Sequence, residues 1–145
     1  MLSRQASHAL KALLELATQP LQWQSTHELA TVQQLPEPML EQLLLRLRRA
    51  GVLVARRGRL GGYRLARPAG EISMAAVLGA LGDNLSSADM AKEPESAADR
   101  VTTALARRLE RVRQKALEEL SLEDLLFDLR SAEASTDDDA GLLLG

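Results

Sequence analysis

Between Gln42 and Gly70 the chain carries eight arginines and not one acidic residue. A guanidinium group presents a planar fork of donors that fits phosphate oxygens, or the O6/N7 edge of guanine, in bidentate fashion. The same stretch holds no lysine, a choice that suits phosphate and guanine contacts better than solubility alone. A polyanion is therefore the first candidate partner, and a merely solvated basic face is the alternative. The wider charge distribution points the same way. Residues 1–70 hold ten Lys/Arg against four acids, a charge of +6, and residues 71–145 hold eight against sixteen, a charge of −8. The net charge of −2 conceals one basic half and one acidic half.

Other chemistries find little support. The chain has no cysteine, which excludes disulfides, thiolate nucleophiles and cysteine-ligated metals or clusters. Its two histidines, His8 and His27, have no third ligand clustered with them, so no metal and no cofactor is expected. No Ser/His/Asp set, phosphate-binding loop or paired-acid site stands in a credible context, and an enzyme is not expected. There is no run of about 18 apolar residues that could cross a membrane. The opening MLSRQASHAL lacks the apolar core and cleavage site of a signal peptide. A cytoplasmic protein is expected.

The elements that must position the arginines follow from periodicity. Trp23, Tyr63 and Phe127 are the only aromatic residues, so the core must be built from Leu, Ala and Val, which favours helices packed on helices. Residues 3–18 read as a helix with Leu10, Leu13, Leu14 and Ala17 on one stripe, ended by Pro20. Residues 21–24 connect and have room for a short strand. Ser25-Thr26-His27-Glu28 has capping-box form and opens a short second helix that buries Leu29, Ala30 and Val32. Residues 33–36 make the turn. Pro36 and Pro38 suit the start of a third helix, which runs to about Ala50 and stops at Gly51. Leu40, Leu43, Leu44 and Leu47 share its inner face, while Glu41, Gln42, Leu45, Arg46 and Arg49 spread over the others. Then the period changes. Val52–Arg56 reads as a strand, Gly58–Gly62 as a turn-rich tip and Tyr63–Ala66 as a return strand. Helix, turn, helix and an arginine-tipped hairpin is the order of a winged helix-turn-helix, here over residues 1–82.

The second half predicts a short helix from Ser73 to about Leu81, a polar linker over 83–98 and a long helix over about 97–120. Val101, Leu105, Leu109, Val112, Ala116 and Leu120 form one apolar seam along it. A seam of that length needs a partner: a second copy, giving a homodimer, or the chain's own winged domain. Ser121 restarts a short helix through about Leu129, so that 99–130 forms the dimerisation unit. Residues 131–145 read as a disordered acidic tail, in which Leu142-Leu143-Leu144 has no evident purpose. The fold class expected is mainly α, a winged helix-turn-helix with a small β-hairpin wing plus a long C-terminal dimerisation helix.

The motifs Leu40-Glu41-Gln42-Leu43, Leu47-Arg48-Arg49-Ala50-Gly51 and the run from Arg57-Gly58-Arg59 through Gly61-Gly62-Tyr63 to Arg67-Pro68 carry a resemblance. In their order and spacing the chain resembles the Rrf-type winged helix-turn-helix transcription regulators (IscR/NsrR/CymR-like). The likeness is close over residues 2–82 and looser over 99–128. It implies a dimer on double-stranded DNA, with the third helix in the major groove, the wing in the neighbouring minor groove and the long helix crossing its twin. Carried over by position, Glu41 and Gln42 would read bases, Pro38 and Met39 would lie near the backbone or a thymine methyl, and Arg57 and Arg59 would sit at the wing. Physical chemistry allows each role. Gln can bond adenine in bidentate fashion, Glu can accept from cytosine N4, and a wing arginine is drawn into a narrow minor groove. Ser3, Arg4 and Thr26, near helix starts, can meet phosphates. Gly61 and Gly62 allow a sharp turn and close approach to phosphate. Tyr63 is either a packing anchor of the wing or a DNA contact. Arg46, Arg48 and Arg49 either contact phosphate or complement the helix dipole.

The chain departs from this family at one place. The cluster-sensing members hold their cluster with three cysteines in the segment that corresponds to Asp83–Arg100, and here there are none. The expectation is a sequence-specific DNA-binding regulator, a repressor, acting as a homodimer on a palindromic operator and not as an iron–sulfur sensor. Its effector would be a small molecule held between the winged domain and the long helix, a partner protein, or none. The alternative is a protein-interaction adaptor that keeps the scaffold without operator binding, for which Leu45 and the Leu-rich tail argue.

Overall fold

In the computed structural model the described residues are 2–82 and 96–144, with side-chain surroundings as far as residue 136. The order is α1 (Arg4–Thr18), α2 (Thr26–Gln33), α3 (Glu37–Arg49), β1 (Leu53–Arg56), β2 (Gly62–Leu65), a 3-10 turn at Ala69–Glu71, α4 (Met74–Ala80), α5 (Ala97–Glu119) and α6 (Leu122–Leu144). This is the mainly helical fold with a two-stranded wing that the pattern predicts.

Helix α1 is the hub. Ser3 caps it by accepting from the Ala6 N–H at 3.0 Å. Its buried face is Ala6, Ala9, Ala12, Leu13, Leu16 and Ala17. Only Leu13 and Ala17 of the expected stripe are fully inside, while Leu10 and Leu14 lie half-buried on the flanks. The reason is side-chain size. Three alanines on one face let α2, α3, β2 and α6 all pack against the helix, and the face that permits close approach becomes the interior.

Helix α2 opens on the expected capping box. Ser25 Oγ accepts from the Glu28 N–H at 3.1 Å and Glu28 Oε2 from the Ser25 N–H at 3.4 Å. Its inner stripe is Thr26, Leu29 and Ala30. Val32, expected inside, is exposed, because the buried Thr26 turns the short helix by a fraction of a turn. The connection to α3 passes through Gln34 in the left-handed region, φ +55°, closed by the Leu35 N–H on the Ala30 carbonyl at 2.9 Å. Helix α3 then buries Leu40, Leu43, Leu44 and Leu47, as its spacing predicts.

The wing is an antiparallel hairpin in which Leu53 faces Leu65, Ala55 faces Tyr63 and Arg56 faces Gly62. Gln24 adds a third edge through two backbone bonds with Tyr63, 3.0 and 2.8 Å. Within residues 21–24, where the sequence leaves room for a short strand, the pairing is this single-residue bridge and not a strand.

The C-terminal half opens as expected and then differs in two respects. Helix α5 spans Ala97–Glu119, as the reading of a long helix over about 97–120 has it, and its start is fixed by a Ser96–Asp99 capping box, so the last two residues of the 83–98 linker belong to it; residues 83–95 lie outside the described ones. The start of α6 belongs to the winged core. Met74 N–H bonds the Leu120 carbonyl and Leu122 N–H the Ile72 carbonyl, both at 2.8 Å, and Leu122 and Leu126 are buried with the α1 residues. Finally, α6 does not stop near Leu129 but runs to Leu144, through the segment read as a disordered acidic tail. No Pro or Gly interrupts it before Gly141. Ser135 and Thr136 donate their hydroxyls to the carbonyls four residues back, both at 3.0 Å, so these polar residues fit within the helix.

Candidate nucleic-acid interface

Helix α3 can be read around its axis at about 100° per residue. With its leucines inward, the opposite side presents Pro38, Gln42 and Arg49, all exposed, with half-buried Leu45 among them. Glu41 and Arg48 lie on the flank toward the hairpin, and Met39 and Arg46 on the other. Arg46 is exposed. Met39 is half-buried, with its sulfur 3.4 Å from His8 Nδ1 on α1, so it serves helix packing rather than the outward face. Arg46, Arg48 and Arg49 fall in the last turn of α3, where they also complement the helix dipole.

Glu41 is held from two sides. The Tyr63 hydroxyl of β2 donates to Oε1 at 3.0 Å, and the Thr26 hydroxyl of α2 donates to Oε2. Both donors are buried. The Tyr63 hydroxyl is pushed up to about 12, by burial first and then by the hydrogen bond and charge of Glu41, with Arg48 opposing. The phenol therefore stays a donor at any working pH. Thr26, read from the sequence as a phosphate contact, and Tyr63, read as either a packing anchor of the wing or a DNA contact, both spend their hydroxyls on Glu41. Ser3 likewise spends its oxygen on capping α1, while Arg4 beside it is exposed.

Arg57 and Arg59 stand exposed at the wing tip. The hairpin that carries them depends on its glycines for a reason other than phosphate approach. A Cβ on Gly61 would fall on the backbone of Arg56 and Arg57, and one on Gly62, at φ +144°, on the backbone of Gln24. Behind the tip, Arg64 lies over the Trp23 ring at 4.4 Å and Arg56 at 6.0 Å, an arrangement of cation–π type. The sequence reading missed this stack. The period of two places Arg56 and Arg64 on one face of the hairpin, but nothing local says that Trp23 joins them as a third edge. Ion pairs among the described residues are His27–Glu37 and Glu110–Arg113, and neither involves an arginine of 46–67. The basic charge of this half remains available to phosphates.

The expected seam on α5 is uncovered. Val101, Leu105, Leu109 and Val112 are 70, 55, 60 and 68 % exposed, and Ala116 and Leu120 are exposed too. A cavity of about 480 Å³ lies against the end of α1 and β2, lined by Ala17, Pro20, Leu21, Arg64 and Pro68 among others. Its lining includes no residue of the long helix, which bounds the pocket in one of the three effector options. No described helix is long and apolar enough to cross a membrane.

The geometry agrees with what the chain is similar to. The sequence profile of a family described as "Rrf2: Iron-dependent Transcriptional regulator" matches residues 2–128. A helix-turn-helix-type transcriptional regulator of Synechocystis sp. is 40 % identical over 136 residues, 92 % of each chain. Another from Mycobacterium tuberculosis is 34 % identical over 128 residues, 86 % of this chain and 80 % of that one. Among solved structures, IscR of T. potens superposes with a TM-score of 0.73 at 29 % identity, covering 91 % of this chain and 90 % of that one. CymR, described as the global cysteine regulator of B. subtilis, gives 0.70 at 26 %, covering 87 and 95 %. The family description names iron, and the donor set of this chain bears on it. The chain has no thiolate to hold an iron–sulfur cluster. Its histidines are engaged apart, His8 beside Met39 and His27 with Glu37, and the described residues include no group of three metal-ligating side chains. These residues do not fit an iron–sulfur cluster.

Proposed function

This chain belongs to the Rrf2 family of transcriptional regulators, and from that premise we propose that it is a homodimeric, sequence-specific repressor on a palindromic operator. The observation that carries the reading is the exposed Gln42–Arg46–Arg49 side of α3, tied through Glu41 and Tyr63 to the hairpin that displays Arg57 and Arg59. A helix of this width enters the major groove with its exposed side against base edges, and the joined hairpin reaches the adjacent minor groove. Gln42 pairs with adenine, Arg46 and Arg49 fix the register on phosphates, and the wing arginines take the minor groove. Leu45 offers apolar contact to a thymine methyl, which accounts for it without an adaptor role. The uncovered α5 seam is the dimer contact: a second copy brings a second winged unit to the other half-site. Operator occupancy then excludes the transcription machinery. Such a protein works in the cytoplasm.

The test is competition between genomic duplexes and random-sequence duplex for the purified full chain, across a salt series. The reading expects a subset of genomic fragments to resist random competitor at least about a thousandfold, with affinity falling steeply as salt rises. Equal competition by random duplex would leave the adaptor reading in its place.

A further inference from the structure

We propose that Tyr63 and Thr26 determine which base this regulator accepts opposite Glu41, by holding that carboxylate in one orientation, without themselves touching DNA. The inference rests on the reading of α3 as the groove-facing helix. A glutamate on the open side of a helix would sweep several rotamers, and its carboxylate would average over neighbouring base edges. Here each oxygen has its own donor, Tyr63 on Oε1 and Thr26 on Oε2. Both donors are buried and fixed by independent elements, Tyr63 by its pairing with Ala55 and Gln24 and Thr26 by the capped first turn of α2.

Two donors do not exhaust a carboxylate. Each oxygen has a second acceptor direction, and Glu41 is only half-buried. The orientation is fixed and acceptor capacity is left over. In the major groove such a group accepts from an exposed amino edge, cytosine N4 in particular. It is repelled by acceptor edges such as guanine O6/N7 or thymine O4. Freed of its clamp, the carboxylate could turn aside to avoid a wrong edge, and the discrimination would fall. The clamp also joins three elements, because α2, α3 and β2 meet at this one side chain. Tyr63 and Thr26 are positioning residues whose effect is read in base preference.

The experiment compares full-length wild type with Tyr63→Phe, Thr26→Val, the double variant and Glu41→Ala. Base preference is measured position by position, by selection from randomised half-sites and then by affinity for single-base substitutions. Tyr63→Phe removes only the hydroxyl and Thr26→Val replaces it with a methyl group of similar shape, and thermal unfolding verifies that each variant is folded. Wild type should discriminate about tenfold or more at one base pair per half-site, and Glu41→Ala should abolish that. The double variant should lose at least half of that discrimination, on a logarithmic scale, at the same base pair. Its affinity for random duplex and its preference at the Gln42 position should be unchanged. Either single variant should give a smaller loss at the same place. The proposal is overturned if the double variant keeps the wild-type preference there, or if it weakens binding to all sequences alike, as a purely structural hydroxyl would. It falls together with the DNA reading if the wild type selects no sequence, and alone if wild type selects and the variants select identically.

Discussion

Leu109→Glu should convert the proposed dimer to monomers while leaving the winged domain folded. Leu109 lies in the middle of the α5 seam, 60 % exposed, with Leu105 and Val112 one turn to either side at 55 and 68 %. Full burial of a leucine or valine side chain is worth about 1.5–3 kcal/mol, so covering the exposed share yields about 1–2 kcal/mol per residue. Four such residues on each of two chains give a gross gain of about 8–16 kcal/mol, against an association cost of about 4–15 kcal/mol. A dimer at micromolar concentration is within reach, and it is sensitive to any one position. A two-fold contact counts each substitution twice. Losing Leu109 alone removes about 2–4 kcal/mol, which raises the dissociation constant about 30- to 1,000-fold, and an unpaired carboxylate at the contact adds to that. Sedimentation velocity on both proteins reads the change directly, and far-UV circular dichroism verifies the helices. A wild type that sediments as a monomer, or a Leu109→Glu variant that remains a dimer at the same concentration, would refute the reasoning.

Three further outcomes follow from named contacts. Gly61→Ala places a Cβ on the Arg56 and Arg57 backbone, which no rotamer change can relieve; it should destabilise the hairpin by about 2–4 kcal/mol and weaken DNA binding more than Gly58→Ala does, measured by anisotropy beside a melting curve. Arg57→Ala should weaken binding to every duplex and lower the salt slope by about 1, whereas Gln42→Ala should cost about 1–3 kcal/mol at one base pair and leave the slope alone. Tyr63 is the only tyrosine, so an absorbance titration reports it singly. Its midpoint should fall near 12 rather than 10 and should move down in Glu41→Gln. Between those pH values the unfolded chain has released this proton and the folded chain has not, so wild-type stability should fall there more steeply than that of Tyr63→Phe.

What the sequence made legible is what local physics decides. The Ser25–Glu28 box, the leucine face of α3 and the break to a period of two at Val52 each depend on residues within a turn or two. What it hid depends on partners far along the chain. The interior of α1 follows its alanines because four elements crowd it. Val32 is outside because Thr26 is inside, and Thr26 can be inside because Glu41, fifteen residues on, satisfies its hydroxyl. The same distance concealed the roles of Tyr63 and Trp23. Net acidity suggested a disordered tail, but a segment with no Pro or Gly before Gly141 extends the helix before it.

The central claim is sequence-specific recognition by a two-fold pair. Selection of genomic duplexes by the purified chain, followed by footprinting and a stoichiometry titration on the best fragment, tests it most directly. The account predicts a palindromic site occupied by two chains, with half-sites about one helical turn apart or a multiple of that. Enrichment no greater than for random duplex, or one chain bound to an asymmetric site, would contradict it.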